Sequence, residues 1–404
     1  MSAKEQQPDN RPLNGVRILD IGTALAGPFG GTLLGEFGAE VIKIEHPTGD
    51  LLRKAPPLYQ GSSLFWAVEG RNKKSITLNL SKPQAQQLLK ELVRVSDVVI
   101  ENYQPGTLEK WNLGYEELQK YNEEIILTRV SGFGQSGPYS SRPGFDSVGM
   151  AMGGLTYLTG YPDSPPVRPG PAVCDYFTGT LNALGTMIAL YHRDAKKGKG
   201  QWLDVSLYET IFRISEYTAA AYDKLGVIRE RSGSRHASVA PSGNFRTKDE
   251  QWVVLIPAGD AIFGRLMRAM GREDLIGNPR FDSMGKRLEN APEIQAIVAS
   301  WVGQHTLEEV CSILNQAEVP VSKLYNIQDI FEDPHYQERG NLIEIDDPGV
   351  GRVRVQGVTP RLAGTPGGVV RPAPTLGQHN EEIYCGLLGY PPEELTRLKE
   401  EGVI

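Results

Sequence analysis

Asp175 is the residue whose type and setting carry the most chemistry. It stands between an extended, proline-rich stretch (SPPVRPGPAVC) and a segment with a helical pattern, YFTGTLNALG. One role for a carboxylate at that junction is an N-cap, accepting backbone N–H bonds and contributing about 1 kcal/mol. The other is a nucleophile, and the two roles are compatible. A free aspartate has a pKa of about 3.9, and a helix N-terminus favours its ionised form by roughly 0.3–2 kcal/mol. Such a group is charged in neutral solution and needs no histidine to activate it. Cys174 beside it would point to the opposite side of an extended chain and reads as packing.

Three other segments are candidates for meeting an anionic ligand. The loop GTALAGPFGG has glycines at 22, 27, 30 and 31, which is not the G-x-G-x-x-G spacing, and no P-loop motif occurs. Its Ala26-Gly27-Pro28 corner still brings bare backbone to a helix N-terminus; a plain strand-to-helix turn is the alternative. Arg71-Asn72-Lys73-Lys74 is the densest basic cluster of the first half, either a phosphate contact or a solvated charge run. SGFGQSGP (131–138) follows a strand, where loops line the ligand crevice of open α/β sheets. The six histidines (46, 192, 236, 305, 335, 379) show no metal-ligand spacing, and no G-x-S-x-G elbow is present.

The elements that must position these residues alternate. VRILDI (16–21), EVIKIE (40–45), SITLNL (75–80), DVVIE (97–101) and EIILTRV (124–130) read as strands, with helices from about Pro28 and over 82–95. The alternation predicts α/β, a large, doubly wound, Rossmann-like parallel layer in the first half. Tyr176–Arg193 reads as helix, GKGQWLDVSL (198–207) as turn plus strand, and Tyr208–Leu225 as another helix. Domain boundaries are expected at 1–226 for the large domain, 227–330 for a smaller α+β domain, and 331–404 for a return to the large one. The smaller domain should hold a strand at 252–256 and helices at 261–270, 292–303 and 307–317. Residues 1–11 read as a tail, and the chain ends in two short helices broken at Pro391-Pro392.

Composition narrows the function. With 404 residues and a net charge of -7, the chain is an ordinary soluble type without the basic excess of a nucleic-acid binder. The N-terminus lacks a signal-peptide core, and no apolar run approaches the roughly 20 residues needed to cross a bilayer. Three widely spaced cysteines indicate neither a disulfide framework nor a zinc site, so a reducing cytoplasm fits.

Read together, PLNGVRILDIG, the AGP corner, GAEVIKIEHPTGD, NKKSITLNL, ENYQPGTLEKWNLGY, SGFGQSGP, the VCDYFTG block, GKGQWLDVSL and APTLGQHNEEI occur in one order across nearly the whole chain. The ordered set resembles class III CoA-transferases, the family of formyl-CoA transferase and carnitine CoA-transferase. The resemblance implies a CoA-transferase in which Asp175 attacks an acyl-CoA thioester, with CoA thioester as substrate and no permanently bound cofactor. It implies that Leu25 and Ala26 lie beside the pantetheine arm and His46 near the adenine nucleotide. It further implies CoA-lining roles for Asn72, Lys73, Lys74, Ser75, Asn102 and Tyr103, a phosphate contact for Lys110, and a loop near the nucleophile from Ser131 to Phe133. An interlocked homodimer, or pairing with a close paralogous subunit, is also implied.

Two positions depart from the formyl branch, which has a glutamine where Leu25 stands and a glycine run where Pro257-Ala258-Gly259-Asp260 stands. Acids other than formate and oxalate are therefore expected, such as the four- and five-carbon dicarboxylates succinate, malate, mesaconate and itaconate. Arg168, Arg229, Arg231 and Arg235 are candidates to pair with a second carboxylate. Two alternatives stand beside this reading: a 2-methylacyl-CoA racemase, and a CoA-binding subunit without activity. The racemase branch needs a histidine before its aspartate, and the chain reads Gly144-Phe145-Asp146 there.

Overall fold

A computed structural model describes residues 10–404, so residues 1–9 of the tail lie outside the described residues. The chain divides into two compact units. The first comprises the residues up to Leu155, Pro169–Ala219 and His335–Ile404; the second comprises Thr156–Arg168 and Ala220–Pro334. The excursion at 156–168 carries no sequence signal of its own.

The first unit is built on six parallel strands: β1 (Arg17–Asp20), β2 (Glu40–Glu45), β3 (Lys73–Thr77), β4 (Val98–Glu101), β5 (Ile126–Ser131) and β6 (Trp202–Ser206). Their order in the sheet is β3-β2-β1-β4-β5-β6, with the reversal of direction between β1 and β4. That is the strand order of the doubly wound nucleotide-binding folds. The helices that matter to the site are α1 (Ala26–Glu36), α2 (Pro83–Arg94), α3 (Asp146–Met152), α4 (Val173–Lys196) and α5 (Leu207–Arg213).

Strand residues alternate between two cores, as period-two geometry requires. Leu19, Ile42, Ile76, Val99 and Leu127 pack with Leu88, Leu89 and Leu92 of α2 on one face. Ile18, Val41, Val98, Ile100 and Ile126 pack with Leu34 of α1 and with Ala183, Ala189 and Leu190 of α4 on the other. Each such fully buried aliphatic side chain contributes about 1.5–3 kcal/mol. The close seam between α1 and α4 depends on small residues: a Cβ on Gly179 would lie 2.8 Å from the Ala26 carbonyl oxygen, and one on Gly30 would lie 2.7 Å from Asn182 Nδ2.

Three expectations are corrected. The third strand covers Lys73–Thr77 rather than 75–80; Leu78 and Leu80 are buried in the core without belonging to the sheet, which is why their alternation resembled a strand. The segment read as one helix over 208–225 is two, α5 and Thr218–Leu225, with Glu216 between them at φ +56°. The long helix α4 begins at Val173, three residues before the expected start, so Asp175 lies inside its first turn.

The second unit holds an antiparallel sheet of β7 (Gly243–Arg246), β8 (Trp252–Leu255) and β9 (Val321–Lys323), ordered β9-β8-β7. It packs on α6 (Asp260–Ala269), α7 (Ala291–Val302) and α8 (Leu307–Gln316) through Val253, Leu255, Phe263, Leu266, Ile294, Val298 and Val310. The chain ends in helical turns at Glu381–Leu387 and Pro392–Glu400, broken as the prolines predicted.

Candidate active site

In open α/β sheets the ligand crevice lies beyond the carboxyl ends of the strands, where the winding reverses. The switch between β1 and β4 is closed here by Asn102. Its Oδ1 accepts from Thr23 N and its Nδ2 donates to Thr23 O, both at 2.7 Å. A cavity of about 370 Å³ opens beside this bridge. Its walls come from the exits of four strands: Gly22 and Thr23 after β1, His46 and Leu51 after β2, Leu78 to Ser81 after β3, and Tyr103 with Trp111 after β4. Volume and position suit a small-molecule site.

The aromatic wall is anchored from behind. Tyr103 and Trp111 meet edge to face at 5.1 Å between centroids. Glu101 accepts from Tyr103 N at 2.7 Å and from Arg129 Nε at 2.8 Å, and Arg129 also grips Glu109. Burial outweighs the Arg129 partner and pushes the Glu101 carboxyl up to about 7. Burial likewise raises the Tyr103 phenol to about 12, so it stays neutral. The His46 ring is exposed, and its Nδ1 accepts from Thr48 N at 3.2 Å. Lys110 is exposed one residue before Trp111.

Asn72, Lys73, Lys74 and Ser75 lie elsewhere: they enter β3 at its amino end, while the cavity takes Leu78 to Ser81 from its exit. Their polar groups have internal partners. The Lys73 ammonium bonds Asp20 at 2.9 Å and the Pro28 carbonyl at 2.8 Å. Lys74 pairs with Glu40 and Glu382, and Arg71 with Glu36. Asn72 has left-handed φ (+61°) and ties Gly368 and Val370 to the strand, at 2.8 Å each. Ser75 Oγ donates to Glu45 at 2.6 Å. The run read from sequence as a candidate phosphate contact is thus a set of internal ion pairs and ties, because the acids that neutralise it come from distant segments.

Asp175 is half-buried in the first turn of α4. The N-cap position itself falls on Ala172, which has no capping side chain. The cap is supplied by Asp146, the first residue of α3, whose Oδ1 accepts from Cys174 N at 3.0 Å and Asp175 N at 3.3 Å. Asp146 is thus the residue that local sequence reading missed; its only signal was an acid opening a helix. The loop from Ser131 packs directly against the chain leading into α3. A Cβ on Gly132 would lie 2.8 Å from Gly144 Cα, so only glycine allows that approach. Phe133 touches Tyr139 and Tyr208, with centroids 6.3 Å apart in each pair.

The next residue, Tyr176, meets Phe29 of α1 edge to face at 4.8 Å and donates to Glu69 at 2.9 Å. Through α1, the loop that borders the cavity therefore continues to the turn that carries Asp175. Leu25 and Ala26 are buried along that path. Burial raises the Cys174 thiol to about 12, which removes it as a competing nucleophile. Among the described residues no cluster of three or more histidine, cysteine or acidic side chains is arranged to hold a metal, and no helix is long and apolar enough to cross a membrane.

A doubly wound sheet with a cavity at its switch point and a carboxylate in the first turn of a neighbouring helix defines an α/β protein with a small-molecule site. The chain belongs to CoA-transferase family III, whose model matches residues 13–380. It is 44% identical over 396 residues to the succinyl-CoA–D-citramalate CoA-transferase of Chloroflexus aurantiacus, covering 98% of each chain. It is 42% identical over 398 residues to the succinyl-CoA–L-malate CoA-transferase beta subunit of the same organism, covering 97% of this chain and 98% of that one. Among solved structures, a CAIB/BAIF family protein from Brucella suis superimposes with a TM-score of 0.82 at 31% identity, over 94% of this chain and all of that one. The chain is accordingly a class III CoA-transferase.

Proposed function

We propose that this enzyme moves CoA from succinyl-CoA to a short dicarboxylic acid through covalent intermediates on Asp175. The donor and acid class rest on the two Chloroflexus relatives, whose names pair succinyl-CoA with citramalate and malate. In this scheme an Asp175 carboxylate oxygen attacks the thioester carbonyl, giving a mixed anhydride and releasing CoA thiolate. The thiolate returns to the aspartyl carbonyl, forming an aspartyl-CoA thioester, and succinate leaves. The acceptor carboxylate then attacks that thioester, and the thiolate attacks the new anhydride at the acceptor's carbonyl, freeing Asp175. Splitting one exchange into four acyl transfers is nucleophilic catalysis, and it requires water to be kept from both intermediates.

The observation that carries this reading is the backbone clamp of Asp146 on Cys174 and Asp175, which fixes where the nucleophile's first turn lies. Gly22, Thr23, His46, Asn102 and Tyr103 suit the nucleotide end of CoA, Lys110 a phosphate, and Leu25 and Ala26 the arm between. Ser131 to Phe133 would border the acyl group. A second copy or a paralogous subunit is proposed to cover Leu184, Ile188 and Tyr191, which leave apolar side chains 54–61% exposed at helical spacing on α4. A cytoplasmic setting agrees with the free thiols. Racemisation is disfavoured because Phe145, beside Asp146, cannot exchange a proton.

Asp175→Ala should abolish exchange between succinyl-CoA and malate or citramalate while CoA still binds. Acid labelled with heavy oxygen should leave that label on residue 175 of the wild-type protein. Retained exchange in the variant refutes the nucleophile, and wild-type protein that binds CoA esters without turnover points to an inactive subunit.

A further inference from the structure

The loop between β1 and α1 is held by side chains from four strands or their exits, all but Asn102 buried, in a way its own sequence does not disclose. Asp20 accepts from Gly22 N at 3.1 Å, and Lys43 donates to the Gly22 carbonyl. Asn102 takes both backbone groups of Thr23. Asp50 accepts from Ala24 N at 3.3 Å and from Leu52 N at 2.9 Å. Lys73 reaches the Pro28 carbonyl one turn further on.

The clamps are tied to one another. The Lys43 ammonium lies 3.2 Å from Asp50 and 3.5 Å from Asp20, and Asp20 also meets Lys73. These four side chains, two of each sign, are at most 2% exposed. Burial works against every charge in the set. Even so, Asp20 titrates below and Lys43 above its usual range, because each faces opposite charge.

At the centre of this cradle Ala24 has φ +57°, a left-handed conformation that costs a residue with a Cβ. It is followed by Leu25 at φ -118°, which opens α1. A strained residue persists only where its surroundings over-determine it, and such residues collect at functional sites. The bond from Ala24 N to Asp50 is the restraint that acts on that residue directly.

We propose that Lys43 and Asp50 are positioning residues that hold Ala24 left-handed, so that the loop Gly22–Ala26 is preset to receive the CoA thioester before it binds. The inference rests on the reading that this loop borders the CoA site. Lys43 acts through the Gly22 carbonyl and Asp50; Asp50 lines the cavity, but its carboxylate is taken up by Ala24 N, Leu52 N and Lys43, and it acts through Ala24. A preset loop has less ordering to do on binding, so loosening it weakens affinity and leaves the acyl-transfer step nearly untouched.

The test reads CoA dissociation constants by calorimetry together with KM and kcat for succinyl-CoA. Asp50→Asn must set an amide NH2 against either the Lys43 ammonium or the N–H groups of Ala24 and Leu52. It should raise both the dissociation constant and KM about tenfold, about 1.4 kcal/mol of lost preorganisation, with kcat within about threefold. Adding Ala24→Gly should restore most of that loss, because glycine adopts the left-handed conformation without a restraint. A purely structural role would not yield to this rescue. If Asp50→Asn fails to fold, Ala24→Val decides the matter. A β-branched side chain opposes positive φ at this partly exposed position, so CoA affinity should fall while the unfolding midpoint stays near wild type.

Unchanged CoA affinity in Asp50→Asn, or in Ala24→Val where the first variant does not fold, overturns the proposal. So does a loss in Asp50→Asn that follows the folded fraction and is not recovered by Ala24→Gly. Absent exchange between succinyl-CoA and dicarboxylic acids in the wild-type protein, with a clear shift in CoA affinity, would instead sink the proposed donor and acid class and leave the preset loop standing.

Discussion

Replacing Asp146 separates the stability of α4 from the placement of its nucleophile. In Asp146→Ala, Cys174 N and Asp175 N both lose the acceptor they share. Cys174 is fully buried, so its N–H has no route to water, and an unsatisfied buried donor costs about 1–3 kcal/mol. Asp175 is half-exposed, so water replaces part of its lost bond. The net loss expected is about 2 kcal/mol, in line with removal of a helix cap. With the cap gone the first turn frays, and each residue that unwinds shifts the chain by about 1.5 Å along the axis. A shift of about 1 Å at a reacting atom costs about 100-fold in rate, so kcat should fall by about that factor. Asp146→Asn keeps an acceptor oxygen and loses only the charge assistance, which roughly halves the bond. It should cost about 1 kcal/mol and less than tenfold in kcat. Denaturant unfolding gives the first quantity, and separation of succinyl-CoA from product thioester at saturating substrates gives the second. A kcat for Asp146→Ala within twofold of wild type would show that the clamp does not position the nucleophile. Equal losses in the two variants would show that the accepted hydrogen bonds are not what matters.

The basic residues of the sequence should divide sharply. Lys73→Met removes a buried partner of Asp20 and should destabilise the protein by about 3 kcal/mol, whereas Lys110→Ala should leave stability within about 0.5 kcal/mol and raise KM for succinyl-CoA a few-fold. A Lys73→Met protein of normal stability with only a raised KM would return that lysine to the phosphate site. Glu101 sets a pH dependence: its carboxyl titrates near 7 in the folded chain against an ordinary 4.5, so the native state holds the extra proton between those values. Stability should therefore fall as pH rises through that window, by up to about 1.4 kcal/mol per unit, and Glu101→Gln should flatten the fall. Denaturant midpoints at pH 5 and pH 7.5 compare the two, and a wild-type decline no steeper than the variant's would contradict the buried carboxyl.

Local pattern carried the layers of the fold well. VRILDI, EVIKIE and DVVIE are apolar runs too short for helices, and strands buried on both faces read in that way. What no run discloses is its neighbour in the sheet, so the order β3-β2-β1-β4-β5-β6 and the switch point at Asn102 come only from the structure. The third strand misled because Leu78 and Leu80 obey its alternation, yet they are buried beneath a chain that has already left the sheet to form a wall of the cavity. Asp175 stood out as an acid near a helix start, but its cap lies 29 residues upstream, in Asp146. No local window spans that distance. Charge was the hardest to read. Lys73 and Lys74 look free in sequence because Asp20, Glu40 and Glu382 lie far from them along the chain.

The same distance explains why so many ions lie beneath this loop at all. Buried ion pairs add little net stability, since desolvation opposes their attraction. A connection between a central strand and a buried helix is different from a surface loop, because the peptide groups on its inner side cannot turn to water and each of those needs a partner. Gly22 and Leu25 are buried, so a hydrophobic filling under them would leave backbone groups unsatisfied. Lysine and aspartate reach those groups from neighbouring strands, and each lies within 3.5 Å of an opposite charge. The network is therefore best understood as serving the backbone above it. Its value appears in the shape of the loop rather than in the free energy of unfolding.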